Sequence, residues 1–443
     1  VTSLAVVEET TGSGSRSRGP VVLVVGLAAL LGFAAGVQPV LVVGGLAAAV
    51  VGTALLLHVE WAALAVVASA VFEDYLHVID GRVVKVLAVL LVAAWLLRRC
   101  RGPLPGAVHA PVLLSVLGLL VVLLAATVAH TNGTAGLAVL LRWAGFLAVV
   151  AVLLDCLPAL VSPARLARAY VWSCTAAALC GLLTYLLADE RRVVGPLGDP
   201  NDLAFFLLAA LPLALGLRSR ATTRWPYGVA TALLLLALLG TLSRGALVGA
   251  GVALLVAVVL GQLSLRALAG LTTLLGLLVA LSLVAVPGLV ATSLDQKEHV
   301  ADQNVSERLD LWESAGRMTL ENPVLGLGPG AFQLSHGDYL DRLPDDVNHR
   351  LDVAHNTYLE TSSELGLLGL LAFLAVLVTG FLAALLTWRR ERDPLAGAVC
   401  SALAGTAAAA TFVTEQYFLP LWLLVALGAG LAVRSPRETG ATT

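Results

Sequence analysis

The chain has 443 residues, 59% of them hydrophobic and only 13% charged, with a mean hydropathy of +0.92. A soluble domain carries about a quarter charged residues, so there is too little charge here to face water on all sides. A soluble enzyme, a secreted disulfide scaffold and a disordered chain are excluded. The net charge of −2 points to no nucleic-acid partner.

The basic residues are almost all arginine, with Lys85 and Lys297 the two lysines. Together with the abundance of Ala, Val and Gly, that skew reflects a GC-rich genome rather than chemistry. The five cysteines lie in or at the ends of apolar runs and form no CxxC. They read as small hydrophobes, with no disulfide framework and no zinc site.

Residues 1–19 are polar and carry Arg16 and Arg18 just before the first apolar run, which reads as a disordered cytoplasmic tail. Runs of about 20 apolar residues cross a bilayer as helices. Candidate spans are 20–36, 39–57, 60–76, 83–97, 111–129, 135–154, 166–188, 202–217, 226–241, 245–261, 266–290, 360–387, 395–413 and 417–433. The third is the weakest, because Glu60, Glu73, Asp74 and His77 crowd it. The expectation is an all-α polytopic membrane protein of 12–14 transmembrane helices with one large external loop. In domains, 20–290 forms an N-terminal transmembrane bundle, 291–355 the loop, 356–433 the C-terminal transmembrane helices and 434–443 a cytoplasmic tail.

Cytoplasmic loops carry an excess of Arg and Lys. If the spans alternate, 16 of the 27 basic residues fall on one side, from Arg16 and Arg18 through Arg98, Arg165, Arg218 and Arg389 to Arg437. That side is the cytoplasm. Arg191, Arg192, Arg244, Arg308, Arg317, Arg342 and Arg350 then lie outside, and Arg142 lies about two turns into a helix from the outer side. Arginine in or beside a span is costly and has a partner or a task. The loop 291–355 holds 12 of the 29 acidic residues and has a net charge of −7. No internal repeat is visible, which disfavours an inverted-repeat transporter.

Five constellations could carry chemistry. Arg192-Val-Val-Gly195 runs to Asp199-Pro200-Asn201-Asp202 at the start of a helix. Asp199 or Asn201 suits its cap, and a helix N-terminus attracts anions; an ordinary capped turn explains everything except Arg192. Thr241-Leu-Ser243-Arg244 is a tight turn, either an interfacial arginine or a guanidinium fork for phosphate. In 306–323, Ser306 caps a helix that Asn322-Pro323 ends, and Glu313 and Arg317 pair at i,i+4. Its apolar face is Leu311, Trp312, Ala315 and Met318, expected against the membrane body; Arg308 and Trp312 face one way. Gly326-Leu-Gly328-Pro-Gly330 is glycine-rich but lacks the Lys-Ser/Thr of a P-loop, so a plain turn fits better.

The fifth is His355-Asn356-Thr-Tyr358, re-entering the membrane ahead of Gly366-Leu-Leu-Gly369. At a helix start the imidazolium is disfavoured, which keeps His355 neutral and able to accept a proton; an interfacial polar anchor is the plainer alternative. Gly366 and Gly369 would let the helix pack closely on a neighbour. His336 and His349 have no tight ligand spacing to His355, so no metal is expected.

His355-Asn356, nine residues, then Gly366-x-x-Gly369 resembles the signature of the O-antigen ligase and O-antigen polymerase superfamily. Arg192-x-x-Gly195 with Pro200-Asn201, Ser243-Arg244, and Arg308-x-x-x-Trp312 with Asn322-Pro323 and Gly326-x-Gly328 support it. The resemblance covers roughly residues 190–370. It implies a fold like that of the C-type glycosyltransferases, in the bacterial cytoplasmic membrane, with the active site on the external face. It implies transfer of a glycan from undecaprenyl diphosphate to a hydroxyl of a glycan, lipid or wall-polymer acceptor, with no cofactor or metal. His355 corresponds to that family's loop histidine, and Arg192, Arg244 and Arg308, with Arg142 behind them, are the candidates for its essential arginines. Asp199, Asn201, Asn356 and Tyr358 are expected as substrate-binding or structural residues.

The residue chemistry fits such a transfer: a glycosyl diphosphate has a good leaving group, so arginines would hold its charge and His355 would take the acceptor's proton. A single displacement inverts the anomeric configuration. The alternatives are a transporter or flippase of a lipid-linked or anionic solute, and a non-catalytic scaffold.

Overall fold

The computed structural model describes residues 38–104, 108–188 and 190–264, scattered positions in 266–280, and residues 307–339 and 353–433. The expected tails 1–19 and 434–443, the span 20–36, most of the span 266–290, Ser306, and residues 291–306 and 340–352 of the expected loop lie outside the described residues. Every regular element among the described residues is helical. The protein is an all-α polytopic membrane protein.

The chain forms two units, Val1–Ala54 and Leu55–Thr443. What is described of the first belongs to helix α1 (Pro39–Leu57), whose sequence is apolar without a charge. The second holds α2 (Val59–Ser69), α3 (Val83–Cys100), α4 (Ala110–Ala129), α5 (Gly133–Cys156), α6 (Pro163–Leu187), α7 (Pro200–Arg220), α8 (Trp225–Gly240) and α9 (Arg244–Val259). These are followed by α10 (307–321), α11 (Thr357–Glu391), α12 (Pro394–Ala409) and α13 (Leu419–Ala432).

Among the described residues, five helices are long and apolar enough to cross a membrane: α4, α5, α6, α7 and α11. Val42–Leu57 and Val59–His77 pass the same test only together, as a bent pair, which would make a sixth span; the other expected spans among the described residues fall short for separate reasons. Helices α8, α9, α12 and α13 are apolar but have only 14–16 residues, roughly 21–24 Å at 1.5 Å per residue against a hydrocarbon core of about 30 Å. Helix α3 carries Lys85, Arg98 and Arg99. The charged third segment is not one helix: α2 ends at Ser69, a 3-10 turn follows over Ala70–Phe72, and a short helix covers Glu73–His77.

Helix α4 shows why a membrane is the solvent. Val112, Val116, Leu119, Leu123 and Ala126 are buried, while Leu114, Leu117, Val121, Leu124 and Val128 are exposed. Both sets recur at 3–4 residues, so the inward and outward faces are equally apolar, unlike a water-facing helix. Helices α9 and α12 cross on glycines: a Cβ at Gly249 would stand 2.5 Å from the Gly405 carbonyl oxygen. Small residues at such crossings let backbones pack closely in lipid.

The helix ends sort by charge. Arg99 pairs with Asp155, Arg165 with Glu60 at 2.7 Å and Arg220 with Asp393 at 3.5 Å. All six belong to ends that the arginine count puts together. The opposite ends of α7 and α12, with the start of α11, gather the residues described next.

Candidate functional site

Helix α7 starts where the sequence predicts. Asp199 is its N-cap, accepting from the backbone N–H of Asn201 at 2.6 Å and of Asp202 at 3.2 Å, and Pro200 occupies the first turn. Arg192 lies across this start. Its Nε donates to the Thr241 carbonyl at 2.7 Å and its Nη2 to Asn201 Oδ1 at 3.3 Å. With the Val193 N–H donating to the Gly240 carbonyl at 2.9 Å, the Arg192 loop is stitched to the α8–α9 turn. Arg244 follows that turn at the first position of α9, exposed and with no hydrogen bond or ion pair among the described residues.

Helix α10 approaches from the other side. Arg308 Nη1 donates to the Phe412 carbonyl at 3.1 Å, and one turn on, Trp312 Nε1 donates to the Ala354 carbonyl at 3.1 Å. These two side chains face the same way, as their spacing requires. The apolar face of α10 is buried chiefly in a small separate core: Leu311, Ala315 and Met318 pack with Ala331, Phe332 and Ala354. Leu359 and Ser362 of α11 and Phe412 of the α12–α13 loop join this core to the transmembrane helices. The Glu313–Arg317 pair forms at 2.6 Å.

His355 sits just before α11 with φ +48°, a left-handed backbone that side chains other than glycine seldom adopt. Asn356 caps the helix, its Oδ1 accepting from the N–H groups of Tyr358 and Leu359 at 3.0 and 3.1 Å. Asn356 is buried, and Tyr358 is spent on packing, its hydroxyl donating to the Ala407 carbonyl at 2.6 Å. Both are structural here. No hydrogen bond to the His355 ring is present among the described residues.

These segments converge electrostatically. Burial lowers the Arg192 pKa, Asp199 opposes this, and Arg308 adds its repulsion. Arg308 is lowered by burial and also feels Asp199. His355 is lowered from its ordinary 6.5, first by burial, then by Arg308, with Asp199 pulling the other way. Two half-buried guanidiniums, one carboxylate and a neutral imidazole therefore share one site. Asp199 is the carboxylate that acts on all three groups, and Asp202, Glu73 and Asp74 lie close to it.

Sequence reasoning missed the floor of this site. Glu360 and Glu364 of α11 are buried. Glu360 accepts from the Ala354 N–H at 2.8 Å, from Thr414 at 3.0 Å and from Gln416 at 2.8 Å. Glu364 accepts from the Gly330 N–H at 2.9 Å and, more weakly, from the Tyr417 hydroxyl at 3.5 Å. The α12–α13 loop is bound further to Thr357, whose N–H donates to the Ala410 and Val413 carbonyls. Arg142 lies over the Tyr417 ring, 5.8 Å from its centroid, and acts on Glu360. The signal was legible: two acids four residues apart inside an apolar span are functional candidates by default.

The glycine motifs are structural. Gly366 breaks α11 with φ +67° and ψ −172°, and the loop after α10 fills the break. The N–H groups of Leu367, Leu327 and Gly328 donate to the Pro323, Ser363 and Glu364 carbonyls at 2.8, 3.0 and 2.8 Å. A loop, and not a neighbouring helix, thus occupies the space at Gly366. The N–H groups of Leu327, Gly328 and Gly330 are all taken, which leaves none of these three for a phosphate.

Glu415 on the α12–α13 loop is fully buried against the Asp202 carboxyl, its hydrogen-bond partner. Burial, then Asp202, raises its pKa well above 4.5. The folded chain therefore holds a proton that the unfolded chain loses near 4.5, and stability falls as pH rises above that value. Glu415→Gln should flatten this decline, which one proton limits to about 1.4 kcal/mol per pH unit. Thermal unfolding in detergent from pH 5 to 9 checks it; a wild-type midpoint that does not fall with pH contradicts the assignment.

Residues 229–374 match a family model described as O-antigen ligase. The match runs from α8 into the first half of α11. It takes in Arg244, Arg308, Trp312 and His355 and leaves Arg142, Arg192 and Asp199 outside. This partial match suggests membership of the O-antigen ligase superfamily. No curated protein matched the chain.

Proposed function

We propose that this protein transfers a glycan from undecaprenyl diphosphate to an acceptor hydroxyl at the outer face of the bacterial cytoplasmic membrane. The observation that carries the reading is the convergence of Arg192, Asp199, Arg308 and His355 from three separate chain segments onto one half-buried site. The O-antigen ligase match and the apolar helices support it. A C-type glycosyltransferase-like arrangement, with the helix ends that gather these residues facing outward, belongs to the same proposal.

The acceptor oxygen attacks the anomeric carbon as the bond from that carbon to the diphosphate oxygen breaks. The acceptor proton passes to the neutral His355 ring, and undecaprenyl diphosphate leaves with the electron pair. Arg192 and Arg308 hold the diphosphate, whose charge grows as the bond breaks. Arg244, exposed beside the turn that Arg192 grips, and Arg142 above Tyr417 are the further cations within this reading. Asp199 and Asn201 orient Arg192 rather than touch the sugar. One displacement inverts the anomeric centre, and retained configuration in the product contradicts it.

The test is turnover by the purified protein in lipid vesicles with undecaprenyl-diphosphate oligosaccharide. Release of undecaprenyl diphosphate with a ladder of lengthening glycans identifies a polymerase. A single transfer to an added acceptor identifies a ligase. No release with native donor and acceptors present overturns the proposal in favour of a transporter.

A further inference from the structure

Helix α10 carries Arg308 near its start and a second, unassigned feature at its end. A cavity of about 390 Å³ opens there, lined by Arg317, Glu321, Leu327, Ser335, Asp338 and Tyr339. That volume lies at the low end of small-molecule sites, about 300–1,000 Å³. Its walls are fixed. Ser314 Oγ donates to the His336 carbonyl at 2.7 Å, and the Phe332 and His336 rings stack at 5.2 Å. Asn132 Nδ2 donates to the Leu327 and Pro329 carbonyls at 3.0 Å each.

The lining selects a chemical class. Arg317 is already engaged by Glu313 and by the Tyr339 carbonyl, at 2.6 and 3.4 Å. With Glu321 and Asp338 alongside, the described lining is net acidic and disfavours phosphates and carboxylates. Glu321 bonds the Tyr339 hydroxyl, and with Asp338 and Ser335 beside this pair the lining suits a neutral ligand with many hydroxyl groups that can pack on a tyrosine. A neutral saccharide is such a ligand. From Arg308 to Arg317 and Glu321 is nine and thirteen residues, roughly 14–20 Å along a helix rising 1.5 Å per residue. A glycan covers that distance in a few sugar units.

We propose that this cavity is a saccharide subsite that grips a sugar several units away from the one that reacts. It rests on the glycan-transfer reading for its role, but its binding is measurable without turnover. The probe is the lipid-free oligosaccharide released by mild acid from polyprenyl-linked glycans of cells that make this protein. Saturation-transfer NMR against the purified full chain should show contact with the sugar protons. Tyr339→Ala and the milder Glu321→Gln should each weaken binding at least tenfold; Glu321 is exposed, so its variant keeps the fold, which its unfolding midpoint checks. Equal binding by wild type and both variants, or no saturation transfer to the wild type, overturns the subsite. Because no turnover enters, a failed transfer assay leaves the binding result standing, and unchanged binding in both variants leaves the transfer reading intact.

Discussion

Replacing His355 with alanine should lower glycan transfer by about 10²–10⁴-fold, the usual contribution of a positioned general base, with the unfolding midpoint near that of wild type. The ring makes no hydrogen bond among the described residues, so the fold loses little with it, whereas the acceptor proton loses its receiver. The pH–rate profile tests the same point more sharply. The base works in its neutral form, and burial with the nearby Arg308 cation lowers its pKa from 6.5. The acid limb of the profile should therefore lie below pH 6.5, with activity holding down to it. Arg308→Gln removes a cation and should move that limb upward; Asp199→Asn removes an anion and should move it further down. The limb's position is the readout, since both variants also lose rate through the diphosphate. A limb that ignores both substitutions would exclude His355 as the base.

How much of this was legible in the sequence depends on the range of the interaction concerned. Local chemistry was readable: Asp199 and Pro200 at the start of α7, Asn322-Pro323 at the end of α10, and the shared face of Arg308 and Trp312 all follow from spacing. Which helix ends lie together was readable too, because the pairs Arg99–Asp155, Arg165–Glu60 and Arg220–Asp393 join ends that arginine counting groups together. Long-range pairing was not. Nothing in a single sequence says that the Phe412 carbonyl receives Arg308, or that Glu360 holds the backbone just ahead of His355. Among the described residues hydropathy also counts more spans than there are helices long and apolar enough to cross, because it does not register the break that Glu73 and Asp74 bring or the shortness of α8, α9, α12 and α13. The close packing expected at Gly366 is present, but its partner is the loop of residues 323–328, and the backbone angle that makes Gly366 necessary is invisible in sequence.

That angle gives the largest stability effect expected in the molecule. At Gly366, φ is +67° and ψ is −172°, a region open essentially to glycine alone. A Cβ there would run into the Val324 carbonyl and stand 2.6 Å from the Leu325 nitrogen. Both neighbours are backbone atoms of the loop that fills the break, so no rotamer change relieves the overlap. Gly366→Ala should cost at least about 3 kcal/mol, combining backbone strain with overpacking. The same substitution at Gly145 of α5, where a Cβ meets nothing within 4 Å, should be neutral or stabilise the helix by up to about 1 kcal/mol. Thermal unfolding midpoints in detergent compare the two directly. Activity should follow stability at Gly366, because the displaced loop continues from α10 and α10 holds Arg308 against the Phe412 carbonyl. Equal midpoints for the two alanine variants would mean that α11 runs straight through residue 366. The loop of residues 323–328 would then have no seat, and α10 would lose the anchor that sets Arg308 beside His355.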